Sequence, residues 1–352
     1  MDAHDMTLAE FLGGASQNLT PEHPLTTLLL TIADTAKAIA ELTAKGALAD
    51  MNGKLESQNI QGETQMKLDV VSNQMFIDNL TRSGLVAGLA SEEMDAPVLI
   101  ADSQNKGVYL VVFDPLDGSS NVAVNVSVGS IFSVLHAPAH ALPQDHDYLQ
   151  SGRQQLASGY ALYGPCTMLV LTIGKGTHGF TLNRDTDEFL LTHADIRIPE
   201  DTAEYAINAS NQRFWESPVQ RYIIECKAGA SGRREKDFNM RWVASMVADI
   251  HRILMRGGIY LYPKDKKNKA HAGRLRLMYE ANPMGMLVEQ AGGLASTGRA
   301  RILEIEPEEI HQRIPVIMGS RNEVLRVERY YSAYDTGQDE VLPLFNDRSF
   351  YR

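Results

Sequence analysis

Apolar and polar residues alternate along this chain with two periods, one typical of amphipathic helices and one typical of strands. The helical period predicts helices over residues 26–48, 69–80, 241–255 and 284–292. Short apolar runs predict strands over residues 98–100, 108–113, 126–135, 157–163, 168–173, 179–182, 259–261 and 316–318, with Gly129 and Ser130 interrupting the third run. Helices and strands in this mixed order favour an α/β fold of stacked layers.

A polar segment at residues 198–201 separates two halves of this pattern. We place a domain boundary near Pro199, which gives an N-terminal unit of residues 1–199 and a C-terminal unit of residues 200–352. Residues 138–154 are a further polar stretch, which predicts a loop. The chain contains no tandem repeat and no low-complexity segment.

Composition narrows the class of protein. The hydrophobic content of 44% over 352 residues is enough for real cores. Cys166 and Cys226 are the only cysteines, which argues against a disulfide framework and favours the reducing cytoplasm. The N-terminus lacks the pattern of a signal peptide, and no apolar run is long enough to span a membrane. A net charge of −11 argues against nucleic acid as a partner.

The segment 113–121, FDPLDGSSN, carries the clearest chemistry in the chain. Asp114 and Asp117 follow the apolar run 108–112, and Gly118 permits a sharp turn before Ser119 and Ser120. Hard cations such as Mg²⁺ are held by a few carboxylates together with substrate phosphates, and turn N–H groups bind anions. The segment therefore predicts metal-dependent phosphate chemistry. The alternative is an Asp-rich turn in which serine or asparagine caps a helix.

Further acidic clusters favour the metal site over the plain turn. Glu92 and Glu93 follow a short apolar run, and Glu280 lies just before the predicted helix 284–292. Glu63 and Asp69 lie at the approach to the predicted helix 69–80. If these clusters converge, they can neutralise several divalent ions. Such ions would also allow an acidic protein to accept a phosphorylated substrate.

The chain resembles the class I fructose-1,6-bisphosphatases, within a wider group of magnesium-dependent, lithium-sensitive sugar phosphatases. The resemblance rests on segments 67–73, 91–93, 113–121, 159–164, 245–252, 260–263, 275–284, 291–293, 311–313 and 315–320. It implies a five-layered αβαβα sandwich with the active site where the halves meet. It also implies a homotetramer, an N-terminal metal and catalytic domain, and a C-terminal sugar-phosphate domain.

The resemblance also implies roles for individual residues. Several Mg²⁺ ions per subunit, for which Mn²⁺ can substitute, would be held by Glu92, Asp114, Asp117, Glu280, the carbonyl of Leu116, and Glu63 at a third ion. Asp69 and Glu93 would orient and deprotonate the attacking water, and Gly118, Ser119 and Ser120 would offer N–H groups to the scissile phosphate. The sugar and its 6-phosphate would be bound by Asn208, Trp242, Met246, Tyr262, Arg274, and Arg241 of a neighbouring subunit.

The expected reaction is hydrolysis of the 1-phosphate of fructose 1,6-bisphosphate, in gluconeogenesis or the Calvin cycle. The chain departs from the family pattern around the sugar: Asn211 and Trp242 replace tyrosines, and Arg274 replaces a lysine. Sedoheptulose 1,7-bisphosphate is therefore a second candidate substrate. Two different functions also compete with this one: a related monophosphatase acting on inositol or phosphoadenosine compounds, and a non-catalytic sugar-phosphate sensor.

Many relatives are inhibited by AMP, which binds in the N-terminal domain. Thr26 and Tyr109 match the family's contacts with the nucleotide, but Val108 replaces its lysine and His136 its arginine. Pro24 removes a backbone donor from the turn before the helix, and Glu22 adds a like charge. We therefore expect weak or absent inhibition by AMP. No cysteine-bearing insertion is present, which argues against the thiol-regulated variety.

Overall fold

The structure is a computed structural model that describes residues 6–14, 19–49, 54–58, 64–100, 107–139, 142–267 and 272–338. The helices among these residues are α1 (Leu8–Leu12), α2 (Pro24–Lys45), α3 (Lys67–Arg82), α4 (Ser217–Lys227), α5 (Met246–Arg256), α6 (Asn282–Gln290) and α7 (Arg321–Asp335). The strands are β1 (Lys54–Gln58), β2 (Thr64–Met66), β3 (Val86–Ser91), β4 (Val98–Leu99), β5 (Tyr109–Asp117), β6 (Val128–His136), β7 (Ala157–Tyr163), β8 (Thr167–Thr172), β9 (His178–Asn183), β10 (Glu188–His193), β11 (Glu204–Ala206), β12 (Asn239–Met240), β13 (Ile259–Tyr262), β14 (Leu275–Arg276), β15 (Leu294–Ser296), β16 (Arg313–Ile314) and β17 (Val316–Gly319).

The larger sheet contains eight strands in the order β10-β9-β8-β7-β6-β5-β3-β4. Successive side chains on a strand point to opposite faces, and strand β6 shows that both faces are covered. Phe132 belongs to the same hydrophobic core as Leu28 of α2 and Phe76 of α3. Its neighbour Ile131 packs with apolar side chains of α5 and α6. Because both faces are buried, these strands are long apolar runs rather than alternating ones.

The smaller sheet has the order β12-β11-β13-β17-β15. Tyr260 on β13 belongs to the core formed with α5 and α6, whereas its neighbour Ile259 belongs to the core that contains Tyr222 of α4 and Val324 of α7. The layers therefore run α2 and α3, large sheet, α5 and α6, small sheet, α4 and α7. The expected five-layered αβαβα sandwich is confirmed. Within the portion of the chain that the structure covers, no helix has the length and apolarity needed to cross a membrane.

Strand β6 is continuous, so the predicted interruption at Gly129 and Ser130 is wrong. Gly129 pairs with Leu162 of β7, and a Cβ atom at Gly129 would lie 2.2 Å from the carbonyl oxygen of Ala161. Glycine thus permits a close approach of two strands at this point. The Ser130 hydroxyl donates a hydrogen bond of 2.7 Å to the carbonyl of Pro115, which satisfies the buried polar side chain.

The predicted helix 241–255 begins five residues late, at Met246. Ala244 has a φ of 65°, which a right-handed helix cannot contain. The N–H of Arg241 instead donates to the carbonyl of Tyr205 on β11 at 2.8 Å. The N–H of Val243 donates to Asp249 Oδ2 at 3.1 Å. Arg241 consequently lies at the end of the edge strand β12, beside β11, rather than on α5.

Candidate metal and phosphate site

Strand β5 carries both aspartates of the FDPLDGSSN segment. The strand was expected to end at Phe113, but it continues to Asp117 and is buried over its whole length. Its pairing with β6 shifts register between Asp114 and Asp117, which is the mark of a bulge that re-aims side chains. Pro115 lies within the shifted stretch, and a bulge is a position where a strand tolerates the absence of a backbone N–H donor. The bulge allows two carboxylates three positions apart to serve one site.

Asp114, Asp117 and Glu280 converge, each offering a carboxylate oxygen, and these atoms all lie within 4.8 Å of one another. All three residues are buried. Glu280 comes from a π-helical turn, Leu277–Ala281, that leads into α6. Such turns are rare and are frequent at functional sites.

Glu92 is tied to this cluster through an arginine. Its backbone N–H donates to the carbonyl of Phe113 on β5 at 3.0 Å. Its Oε1 lies 2.5 Å from Nη2 of Arg276, whose Nη1 lies 4.0 Å from Oε2 of Glu280. The backbone N–H of Arg276 also donates to Glu280 Oε2 at 2.6 Å. Sequence reasoning gave Arg276 no role, although its spacing of four from Glu280 is the spacing of a helical ion pair.

The crowding of carboxylates has an electrostatic consequence. Burial, and then the charges of Glu92, Asp117 and Glu280, hold the pKa of Asp114 well above its usual range, while Arg276 acts in the opposite direction. Burial likewise raises the pKa of Asp117 to about 6, against the lowering effect of hydrogen bonds from Val247 and Ser245. Carboxylates placed together in this way need a compensating cation to remain ionised together. A set of oxygen donors suits a hard divalent ion such as Mg²⁺ or Mn²⁺.

The turn after Asp117 packs against the start of α5. Gly118 has a φ of 76°, and a Cβ atom there would lie 2.9 Å from Cβ of Ser245, so only glycine fits without strain. Ser119 begins a 3₁₀ turn that runs to Val124. The side-chain amide of Asn121 donates to the carbonyl of Ala244 at 3.0 Å. These contacts fix the turn that was predicted to meet the scissile phosphate; within it, Ser120 is exposed.

The two predicted proton-transfer residues lie on separate elements. Asp69 is in the first turn of α3, is only 2% exposed, and accepts a hydrogen bond of 2.8 Å from the N–H of Met66. Glu93 follows the predicted metal ligand Glu92 and is half-buried. Glu63, the expected residue of a third ion, lies outside the described residues.

A small pocket lies apart from the carboxylate cluster, between β13 and the start of the 3₁₀ helix Ala209–Phe214. Its lining includes the predicted residues Asn208, Trp242 and Tyr262, together with Asn211 and Asp265. The Trp242 ring stacks on that of Tyr260 with centroids 5.8 Å apart and an interplanar angle of 12°. Asp265 was not predicted, and no local motif marks it.

The remaining predicted sugar-site residues surround this pocket or lie apart from it. Nε of Arg274 lies 3.5 Å from Oδ2 of Asp265, a residue of the lining. Met246 is buried at the first position of α5. Arg241 is exposed, and its Nη1 donates to the carbonyl of Met240 at 3.3 Å. Arg241 is not among the residues that line the pocket within this chain.

Fold and site together define a layered α/β protein with a buried carboxylate cluster that could hold a metal ion. Residues 6–194 match the family model of the fructose-1-6-bisphosphatase N-terminal domain, and residues 198–332 match the model of its C-terminal domain. The class 1 fructose-1,6-bisphosphatase of Halorhodospira halophila is 57% identical over 331 residues, covering 92% of this chain and 98% of that protein. The class 1 enzyme of Acinetobacter baumannii is 58% identical over 327 residues, covering 93% of this chain and 99% of that protein.

Solved structures agree with these relatives. The holo form of Leishmania major fructose-1,6-bisphosphatase superimposes with a TM-score of 0.87 at 39% identity, covering 93% of this chain and 99% of that one. The apo form of the same protein gives a TM-score of 0.82 at 38% identity. The chain belongs to the class 1 fructose-1,6-bisphosphatase family.

Proposed function

We propose that the chain hydrolyses the 1-phosphate of fructose 1,6-bisphosphate, giving fructose 6-phosphate and inorganic phosphate. The observation that carries this proposal is the convergence of Asp114, Asp117 and Glu280 in a buried site beside the glycine-serine turn. The chain is a metal-dependent phosphoric monoester hydrolase by family. We infer further that it works as a cytoplasmic homotetramer.

The metal site is proposed to hold Mg²⁺, for which Mn²⁺ can substitute. Its ligands are the carboxylates of Glu92, Asp114, Asp117 and Glu280 and the carbonyl of Leu116, and Glu63 serves a further ion. When bound, the ions neutralise charge on the phosphoryl oxygens and raise the acidity of the attacking water. The raised pKa of Asp114, caused by burial and its acidic neighbours, supports this assignment because those carboxylates need cations to remain ionised together.

The chain's own groups orient the reactants and move the proton. Gly118, Ser119 and Ser120 offer backbone N–H groups to the scissile phosphate, where charge develops in the transition state. Asp69 and Glu93 orient the water and accept its proton. Asp69 is suited to this role because Met66 fixes its carboxylate from one side, which limits the side chain to one orientation.

The distal phosphate is proposed to bind away from the metals. Asn208, Trp242 and Tyr262 line one small pocket and are proposed to contact the distal phosphate, while Met246 and Arg274 contact the sugar. Arg241 is exposed on the edge of the small sheet, so its side chain can reach a phosphate bound in a neighbouring subunit. A guanidinium suits this task because its fork binds phosphate oxygens in pairs.

A substrate panel tests the proposal. Phosphate release is measured with fructose 1,6-bisphosphate, sedoheptulose 1,7-bisphosphate, fructose 1-phosphate, inositol 1-phosphate and phosphoadenosine phosphate, each with Mg²⁺ and with excess chelator. We expect the highest kcat/KM with fructose 1,6-bisphosphate and no turnover in chelator. Recovery of activity on adding back Mg²⁺ or Mn²⁺ is the control for irreversible damage. Turnover that persists without metal, or a preference for a monophosphate, would contradict the proposal.

A further inference from the structure

The segment 228–241 connects helix α4 to Arg241 and is mostly exposed. Ser231, Arg233, Glu235 and Asp237 all face solvent in alternation with half-buried neighbours. The segment ends on β12, which pairs with β11 through only two residues at the edge of the small sheet. So short a strand contributes few of the contacts that hold the segment. A buried side-chain contact holds it as well.

Arg234 provides that contact. Its side chain is 3% exposed, and Nη2 lies 2.5 Å from Oε1 of Glu323, whose side chain is 2% exposed. Glu323 is in the first turn of α7 and also accepts a hydrogen bond of 2.7 Å from the hydroxyl of Tyr222 on α4. The guanidinium carbon lies 4.5 Å from the ring centroid of Phe238. One arginine of an exposed segment is thus enclosed by α4, α7 and the segment itself.

A buried ion pair is a weak source of stability, because desolvating two charges offsets much of their attraction. Its better-supported use is to select one arrangement among several. In this protein, the arrangement in question is the conformation of the chain from Arg234 to Arg241. After Phe238, the N–H of Asn239 donates to the carbonyl of Ala203 at 2.8 Å, and that of Arg241 to the carbonyl of Tyr205 at 2.8 Å.

We propose that the Arg234–Glu323 ion pair positions Arg241 for the distal phosphate, so that Arg234 is a positioning residue for substrate affinity. The proposal rests on the function proposed above, in which Arg241 binds that phosphate. Without the ion pair, the segment and its edge strand shift, and Arg241 meets the phosphate in poorer geometry. The reacting phosphate is bound by the turn after β5 and is unaffected.

The test uses a double variant, Arg234→Gln with Glu323→Gln, because removing one partner alone would leave a buried charge and endanger folding. Arg234→Lys is a second, milder variant that keeps the charge but loses the fork and the flat contact with Phe238. For the double variant we expect KM for fructose 1,6-bisphosphate to rise about three- to tenfold, part of the loss expected for a charge-assisted phosphate contact. The kcat should stay within about twofold of the parental value, because Arg241 contacts the distal phosphate in the ground state and the transition state alike.

Fructose 1-phosphate distinguishes a misplaced Arg241 from general damage to the enzyme, because this substrate lacks the distal phosphate. Its kcat/KM should not change in the double variant. Arg221→Gln with Glu225→Gln is the matched control: Arg221 pairs with Glu225 at 3.2 Å on α4, and both residues are outside the segment. This second double variant should leave KM unchanged.

The final arm combines the double variant with Arg241→Ala. If the ion pair acts through Arg241, the combination raises KM no further than Arg241→Ala alone. The inference is overturned if the effects add, if fructose 1-phosphate is affected equally, or if KM stays constant although Arg241→Ala raises it. If Arg241→Ala itself leaves KM unchanged, the distal site of the proposed function is wrong, and the inference falls with it.

Discussion

Oδ2 of Asp117 accepts a hydrogen bond of 2.9 Å from the backbone N–H of Val247. Asp117 ends β5 in the large sheet, whereas Val247 is in the first turn of α5, between the two sheets. The same oxygen accepts a bond of 3.2 Å from the Ser245 hydroxyl. The positive end of the α5 dipole therefore meets a proposed metal ligand. Helix α5, which packs between the two sheets, therefore also neutralises part of the negative charge of the site.

This relationship predicts the outcome of Asp117→Asn. Asparagine keeps an oxygen that can accept from Val247, so we expect the melting temperature to change little. The substitution removes a full negative charge from the carboxylate cluster. The Mg²⁺ concentration for half-maximal activity should therefore rise by at least about tenfold. Titration of activity with Mg²⁺, together with thermal unfolding, measures both effects.

Asp249→Asn is the matched control for this variant. Asp249 is also buried on α5 and accepts from Val243 and from Arg252, the latter at 2.8 Å, but it is outside the cluster that offers metal ligands. We expect it to lose stability and to keep the Mg²⁺ requirement of the parent. If both variants shifted the Mg²⁺ requirement equally, the assignment of Asp117 as a ligand would be wrong.

Asp69→Asn should separate proton transfer from binding. Asparagine can still accept from the N–H of Met66, so α3 should begin at the same place. It cannot take a proton from water, so kcat should fall by about 100-fold or more, while KM and the Mg²⁺ requirement stay near those of the parent. Asp78→Asn, at an exposed position of the same helix, is the control and should leave kcat unchanged. A variant of Asp69 with parental kcat would remove this residue from the mechanism.

The elements that the sequence predicts well are those with a local pattern. The apolar run of β5 and the two aspartates beside Pro115 are contiguous, so both strand and carboxylates can be found. The continuation of β5 to Asp117 cannot, because it depends on a register shift against β6. Helix α7 was not predicted because its buried side includes polar groups such as Glu323, whose partners Arg234 and Tyr222 are distant in sequence.

The same distinction holds within the site. Glu280 can be found because its neighbours match a family segment, and the fold then brings it to Asp114 and Asp117. The pairing of Arg276 with Glu92 cannot be found in this way, because the two residues are distant in sequence. Asp265 escapes prediction for a similar reason: it lines the pocket beside Asn208 and Tyr262 through tertiary structure alone. Local chemistry can be predicted from the sequence, but pairings across layers cannot.

A buried histidine predicts a loss of stability in acid. Nδ1 of His251 on α5 lies 2.8 Å from the hydroxyl of Tyr160 on β7. Burial, aided by the charge of His193, lowers the pKa of His251 from its ordinary value of 6.5 to about 4. Between these values the unfolded chain binds a proton that the folded chain does not, so stability falls as pH falls from 6.5 to about 4. The slope from this residue is at most about 1.4 kcal/mol per pH unit.

Chemical denaturation at several pH values between about 7 and 4.5 measures this slope. In His251→Gln the part of the slope that comes from this histidine should disappear, so parent and variant should converge in stability as the pH falls. Parallel curves for the parent and His251→Gln would mean that His251 is not the group responsible.

The N-terminus of α2 has the features expected of a helix that does not bind a nucleotide phosphate. Pro24 is in the first turn and has no N–H to offer. Nδ1 of His23 already accepts from the N–H of Leu25 at 3.1 Å. The hydroxyl of Thr26 already donates to the carbonyl of Thr20 at 2.9 Å. The donors with which a helix N-terminus binds anions are thus partly missing and partly in use.

We therefore predict weak or absent inhibition by AMP. Val108 is 52% exposed at the position of the family's lysine, next to the retained Tyr109, and the exposed His136 stands at that of its arginine. Each lost charge-assisted contact costs about 1.5–3 kcal/mol, so two losses weaken binding at least about tens-fold. Activity measured from micromolar to millimolar AMP should stay near its starting value over most of this range, with an AMP-sensitive relative as the positive control. Half-inhibition at low micromolar AMP would mean that different residues of this chain bind the nucleotide.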